Sequence, residues 1–188
     1  MTAELKKYFD LSPKDRREII SLAATETGGE EKILEKDVMV VWILDTVFRS
    51  PFGDALSFKG GTSLSKVYQL INRFSEDVDL TYDIRKFLPG MAYDHDGIPP
   101  SNSQQRKLTA AVREKLPAWI EGELARLLTK AISDQGLSAT LRQNTAETLN
   151  IDYPSLFEGH TYVRPSVLLE FGARSTGEPT SNRCGGRQ

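Results

Sequence analysis

Five short segments of the chain are candidates for β-strands, and in one of them, residues 77–82, apolar and polar residues alternate with the period of two that is typical of a strand. In the second segment, Val78 and Leu80 share one face. In the last segment, Val167, Leu169 and Phe171 share one face. We expect these faces to meet the hydrophobic core. The predicted strands are residues 55–59, 77–82, 138–142, 148–153 and 166–171.

Two helices are predicted before the first strand. Ser12 and Pro13 are typical of a helix start, and the paired glycines at 28–29 are typical of its end. Apolar residues at helical spacing give each helix an expected inner face. For the first helix these are Ile19, Ile20, Leu22 and Ala23. For the second, over residues 30–49, they are Ile33, Leu34, Val41, Leu44 and Phe48.

Between the predicted strands, the pattern indicates further helices and one long loop. Residues 62–71 have helical apolar spacing, and residues 104–134 form a long helical region that we expect to bend near Pro117. Residues 86–103 contain several prolines, glycines and polar side chains, which favours a loop or lid. The tail, residues 175–188, holds almost no apolar side chains, so we divide the chain into a core at 1–174 and a polar tail.

Composition excludes several classes of protein. The chain has 188 residues, 39% of them hydrophobic, and a net charge of −2, so its total charge does not require a nucleic-acid partner. A single cysteine, Cys184, rules out an internal disulfide and favours a reducing cytoplasm. The longest apolar run, residues 38–48, is shorter than the roughly 20 residues that span a bilayer. His95 and His160 are far apart, and we expect them to be loop residues.

A glycine pair after the first predicted strand indicates a phosphate site. Gly60 and Gly61 let the backbone approach a ligand closely, and the helix that begins at Thr62 offers unpaired N–H groups to an anion. The Thr62 or Ser63 hydroxyl adds a donor. On its own, however, a glycine pair before a helix is most often a plain turn.

Two aspartates on the second predicted strand suggest a metal site. Asp77 and Asp79 are two residues apart, so both carboxylates should lie on the face opposite Val78 and Leu80. Two close carboxylates repel each other unless a cation lies between them, and Mg²⁺ prefers such oxygen ligands. Glu170, on the polar face of the last strand, is the third carboxylate. Each feature is weak by itself, and their order along the chain makes the hypothesis specific.

The residues resemble those of the AbiEii/AbiGii toxin family of nucleotidyltransferases, within the polymerase-beta-like superfamily. Three blocks carry the resemblance, and a later stretch resembles the acidic strand of the family; together they cover about residues 30–175. They are Glu35-Lys36-Asp37, the glycine block from Phe58 to Lys66, the carboxylate block from Arg73 to Leu80, and the stretch from Pro165 to Arg174.

The resemblance implies an α/β (α+β) nucleotidyltransferase core, in which a mixed β-sheet is flanked by helices. It also implies Mg²⁺, an NTP donor and a cognate antitoxin protein as partner, while some relatives are thought to modify the acceptor end of tRNA. Members of the family usually continue with a further helical part. We therefore expect the acceptor-binding half to be missing here.

The sequence thus predicts a cytoplasmic, metal-dependent nucleotidyltransferase that moves a nucleoside monophosphate onto an acceptor hydroxyl and releases pyrophosphate. Asp77, Asp79 and Glu170 are the expected metal ligands and catalytic residues. The expected nucleotide contacts are Lys59, Gly60, Gly61, Thr62, Ser63, Lys66 and Arg73. The alternatives are a degenerate module that binds nucleotide or antitoxin without catalysis, and a kinase-like phosphotransferase.

Overall fold

A computed structural model describes residues 2–59, 77–91, 99–159 and 163–174. Its helices and strands build a five-stranded sheet with helices packed on it, which confirms the predicted mixed α/β class. The helices are α1 (Ala3–Asp10), α2 (Pro13–Thr27), α3 (Glu31–Phe48), α4 (Ile84–Phe87), α5 (Asn102–Trp119) and α6 (Ala125–Asp134). A 3₁₀ turn (Gly53–Ala55) and a π-turn (Ile120–Leu124) complete them. The strands are β1 (Leu56–Lys59), β2 (Asp77–Asp83), β3 (Thr140–Thr145), β4 (Thr148–Asp152) and β5 (Ser166–Arg174).

The sheet has the order β1-β2-β5-β4-β3 and is mixed. Strands β2 and β5 are parallel, whereas β1 pairs with β2, β4 with β5 and β3 with β4 in antiparallel fashion. The parallel pair lies near the middle of the sheet. It therefore joins two strands that are far apart in the sequence.

The core lies on one face of this sheet, under the helices. Alternation of side chains sends Val78 and Leu80 of β2 and Val167, Leu169 and Phe171 of β5 into it, as predicted, and all five are buried. From α3, the buried apolar side chains are Met39, Val40, Trp42, Ile43 and Val47.

The inner faces predicted for the first two long helices are partly wrong. On α2, Ile20 and Ala24 are buried, but Ile19 and Leu22 are exposed. On α3, the predicted Val41 and Phe48 are exposed. The cause is that both helices carry apolar side chains around much of their circumference, so spacing by itself does not identify the side that meets the sheet.

Local capping signals were more reliable guides to where helices begin and end. The Ser12 hydroxyl accepts a hydrogen bond from the Asp15 N–H at 3.2 Å, and Gly28 ends α2 with φ at 68°, a conformation that suits glycine. The predicted helical region 104–134 is α5, the π-turn and α6, and Pro117 lies just before the π-turn. Helix α1 was not predicted, and α4 occupies the start of the predicted loop 86–103. The helix predicted over 62–71 and the tail 175–188 lie outside the described residues.

Candidate active site

The polar face of β2 holds the two predicted aspartates. Asp77 and Asp79 are half-buried, while Val78 and Leu80 between and after them are fully buried on the other face. The strand therefore has one apolar and one acidic face, as the alternation predicted. Since helices cover the apolar face, the aspartates lie on the opposite side of the sheet.

Strand β5 brings Glu170 to the same place. In the parallel pair, Asp79 is in register with Glu170, and Asp77 is in register with Leu168. Register partners point to the same face of a sheet, so the Asp79 and Glu170 side chains are neighbours. The two carboxyl groups are close enough for each to influence the pKa of the other.

The ionised forms of Asp79 and Glu170 are disfavoured, because both carboxyl groups have raised pKa values. Burial raises the pKa of Asp79, the charge of Asp77 raises it further, and the hydrogen bond with Glu170 opposes part of that rise. Burial likewise raises the pKa of Glu170, and the charges of Asp79 and Asp77 add to the effect. The Asp79–Glu170 pair therefore favours a shared proton or a nearby cation over full ionisation of both carboxyl groups.

A row of four polar residues crosses the sheet at this level. Lys59 of β1 is in register with Asp79, and Thr148 of β4 is in register with Glu170. Lys59 is half-buried and stands at the end of β1, immediately before the glycine pair. Sequence reasoning named Lys59 but missed Thr148, because its place beside Glu170 follows from strand order and leaves no mark in the sequence.

Several predicted contacts lie outside the described residues. They are Gly60, Gly61, Thr62, Ser63, Lys66 and Arg73. His95 and His160, which were expected to be loop residues, and Cys184 also lie outside the described residues.

The chemistry of the carboxylates suits a hard divalent cation. Asp77, Asp79 and Glu170 supply oxygen ligands of the kind that Mg²⁺ takes, and their mutual repulsion is what a cation would relieve. Within the part of the chain that the structure describes, however, no three or more His, Cys, Asp or Glu side chains form a group arranged to hold a metal ion. The three carboxylates are therefore chemically suitable ligands for Mg²⁺, and Mg²⁺ binding is part of the function proposed below.

Another acidic residue lies in the interior, in surroundings unlike those of the three carboxylates on the polar face of the sheet. Glu35 of α3 is 5% exposed, and its carboxylate accepts hydrogen bonds from the Ser155 hydroxyl at 2.6 Å and from the Leu156 N–H at 2.7 Å. Lys36 beside it is 1% exposed. Sequence reasoning cited this block only for its resemblance. Here Glu35 fastens the segment after β4 to the start of α3.

A cavity of about 310 Å³ adjoins this anchor. Lys32, Glu35, Tyr153, Ser155 and Phe157 line it, and residues 163–165, just before β5, close it. Burial raises the pKa of the Tyr153 hydroxyl strongly, and the charges of Glu35 and Asp37 add to the rise, so this phenol stays protonated.

Comparison with known protein families decides the assignment. Residues 42–183 match the family model described as the nucleotidyl transferase AbiEii toxin of type IV toxin–antitoxin systems. The chain belongs to the AbiEii family. No curated protein and no solved structure matches it.

Membership in AbiEii confirms the resemblance and the coarse function. The matched range includes β2 and β5, with all three carboxylates. It begins after Glu35-Lys36-Asp37 and runs into the segment that was predicted to be a separate tail. The AbiEii family consists of nucleotidyl transferase toxins, and the toxin–antitoxin arrangement implies an antitoxin as partner. Among the described helices, none has both the length and the apolar character needed to cross a membrane.

Proposed function

We propose that this AbiEii chain transfers a nucleoside monophosphate from an NTP to an acceptor hydroxyl and releases pyrophosphate. Asp77, Asp79 and Glu170 are the catalytic residues of this proposal. The observation that carries it is the register of Asp79 with Glu170 across β2 and β5. That register gathers acidic groups on the sheet face that the core leaves free, where burial and the neighbouring charge of Asp77 raise the pKa values of Asp79 and Glu170.

The carboxylates would act in two ways. Asp77 and Asp79 would hold Mg²⁺ together with Glu170, and bound Mg²⁺ would neutralise charge on the triphosphate as the leaving pyrophosphate develops. Glu170 would also accept the proton of the acceptor hydroxyl. A carboxylate positioned beside the acceptor hydroxyl can serve as such a general base.

The donor triphosphate would lie beside the end of β1. Lys59 is in register with Asp79, so its ammonium group is carried on the same face as the carboxylates. The remaining proposed contacts follow in the sequence, and the backbone N–H groups at a glycine pair before a helix suit an anion. These contacts are Gly60, Gly61, Thr62, Ser63, Lys66 and Arg73.

The acceptor and the cellular setting complete the proposal. We propose the cytoplasm as the compartment and tRNA as the first acceptor to test. We also propose that residues 1–174 form the catalytic core.

The alternative is a degenerate AbiEii relative that binds nucleotide or antitoxin and does no chemistry. The paired carboxylates with raised pKa values favour catalysis, because a binding module has no need of them.

Labelled nucleotides test the proposal directly. Purified chain is incubated with each α-labelled NTP, Mg²⁺, and either total tRNA or a protein extract, and pyrophosphate release is followed in parallel. We expect a labelled acceptor band with one NTP, lost in Asp77→Ala and in Asp79→Ala. The matched control is Asp134→Ala, at the exposed end of α6, which should label as the wild type does.

Other outcomes separate the alternatives. Transfer of a γ-label with formation of NDP would identify a kinase-like phosphotransferase. NTP binding without any labelled product, in wild type and variants alike, would identify the degenerate module.

A further inference from the structure

An aromatic groove lies on the helix-covered side of the sheet, away from the carboxylates. Its volume is about 410 Å³, within the range of small-ligand sites. We call it the Trp119 groove. Six of the residues that line it are Tyr82, Lys86, Phe87, Lys115, Trp119 and Glu123. Tyr82 shares a strand face with Val78 and Leu80, so the groove and Asp79 lie on opposite sides of β2.

The rings of this groove are held rigidly. The ring centroid of Trp119 lies 5.0 Å from that of Tyr82 and 6.3 Å from that of Phe87, both at steep angles. Phe52 at 5.4 Å and Phe171 at 6.1 Å support the same indole. Tyr82 and Phe87 are half-buried, so aromatic surface remains accessible while the indole is fixed.

The helix is irregular at this point. A π-turn over Ile120–Leu124 begins directly after Trp119. Trp119 is itself two residues after Pro117. Short π-turns within α-helices are rare and frequently occur at functional sites. This one brings Glu123 to the groove, where its charge, after burial, is the second cause of the raised pKa of Tyr82.

Charged groups stand at the mouth of the groove. Lys115 is exposed. Lys86 donates one hydrogen bond to the Asp54 carbonyl at 2.6 Å, which leaves its ammonium group two further donors. Two cations beside aromatic rings suit a ligand that combines a flat ring with an anion, and Glu123 offers an acceptor to ribose hydroxyls.

We propose that the Trp119 groove binds a nucleotide unit, with the base against the Tyr82 and Phe87 rings and the phosphate at Lys115 and Lys86. This site is separate from the proposed donor site and does not depend on catalysis. A free mononucleotide and a nucleotide within an RNA strand offer the same groups, so the experiment includes both.

Tryptophan fluorescence is a suitable first measurement. The chain has two tryptophans, and Trp42 is only 2% exposed, so a ligand in the groove should act on Trp119. We expect AMP to quench the fluorescence with EDTA present, and Trp119→Phe to abolish the response. Adenosine and ribose 5-phosphate, which each lack half of the ligand, should bind at least about tenfold more weakly.

Single substitutions test the charges. Lys115→Ala should weaken AMP binding about tenfold, because it removes a hydrogen bond between charged groups. Lys107→Ala, an equal loss of charge at an exposed position of the same helix, should leave the affinity unchanged. Equilibrium dialysis with labelled AMP gives the same comparison should Trp119→Phe fail to fold.

Further arms separate this groove from the donor site. Asp79→Ala should keep AMP binding in EDTA, whereas loss of binding in that variant would assign the nucleotide to the carboxylate face and overturn the proposal. No binding of AMP at millimolar concentration, or equal affinity for ribose 5-phosphate, would overturn it too. An oligoadenylate that binds more tightly than AMP supports the site and identifies a strand as its source.

Discussion

Two sets of acidic side chains in this AbiEii chain have opposite surroundings. The Glu35 carboxylate is almost fully buried, and a hydroxyl and a backbone N–H both donate to it. Asp79 and Glu170 face each other, with Asp77 close enough to add its charge. The first arrangement stabilises the fold because donors replace lost water. The second costs stability unless a proton or a cation is added, and such a cost is typical of a functional site.

The largest predicted effect is the loss of catalysis when the Asp79–Glu170 site is changed. Glu170→Gln keeps the shape of the side chain but removes the base, so nucleotide transfer should fall by a factor on the order of 10² to 10⁴. The initial rate of pyrophosphate release measures this. Glu147→Gln, an equal change at an exposed residue of the neighbouring turn, is the control and should retain full activity. A Glu170→Gln enzyme as fast as the wild type would remove Glu170 from the site.

The next-largest effect is on the free energy of unfolding, through the buried Glu35 carboxylate. Glu35→Ala removes the acceptor of two hydrogen bonds, so the Ser155 hydroxyl hydrogen and the Leu156 N–H lose their acceptor. The free energy of unfolding should fall by about 3 kcal/mol, and by less in Glu35→Gln, whose amide oxygen can still accept. Urea unfolding measures both, with Glu114→Ala on the exposed side of α5 as control. If Glu35→Ala unfolds at the wild-type midpoint, the anchor contributes no stability.

Stability against pH sharpens the contrast. Because the folded pKa of Asp79 is raised above 3.8, its ionised form destabilises the fold, and this cost disappears as pH falls toward 3.8. Asp79→Asn should therefore be more stable than the wild type at neutral pH, and the difference should shrink as pH falls. Thermal unfolding across pH 4–8 in EDTA would show this. Saturating Mg²⁺ should stabilise the wild type and so reduce this difference at neutral pH. If Asp79→Asn is instead less stable than the wild type at neutral pH, the ionised Asp79 does not destabilise the fold.

The smallest effect is at Asp83, where the ionised carboxylate stabilises the fold instead of destabilising it. Hydrogen bonds from Arg85 hold the pKa of Asp83 below its usual value, and the Asp83 carboxylate also caps α4 through the Arg85 N–H at 2.9 Å. Its contribution is present above the ordinary Asp pKa and is lost as pH falls through the lowered one. Asp83→Asn should cost less than about 1 kcal/mol at neutral pH, as partly exposed pairs do. A larger loss in urea unfolding would mean that Asp83 supports more than α4.

Much of this fold follows from local patterns in the sequence. All five strands were predicted, and alternation correctly sent Val78 and Leu169 inward. Ser12 and Gly28 marked the two ends of α2 because capping is a local interaction. The family was also evident from short blocks of sequence, and the match over residues 42–183 confirms it.

What failed depends on long-range packing. Leu22 and Val41 were expected inside but are exposed, since only the position of the sheet decides which side of an apolar helix is covered. The sequence likewise gave no sign that Thr148 would lie beside Glu170, or that Glu35 would bind the segment after β4. The pairing of Asp79 with Glu170 was expected only as a convergence on one cleft, and the roles of these residues stay a prediction.

The parallel pairing of β2 with β5 also has a consequence for the order in which the acidic pair forms during synthesis. The ribosome makes Asp79 well before Glu170, because the two residues are far apart in the sequence. Parallel strands that are distant in sequence also associate slowly, because loop closure precedes any stabilising contact. The Asp79–Glu170 pair therefore forms only after β5 has been synthesised and has taken its place in the sheet.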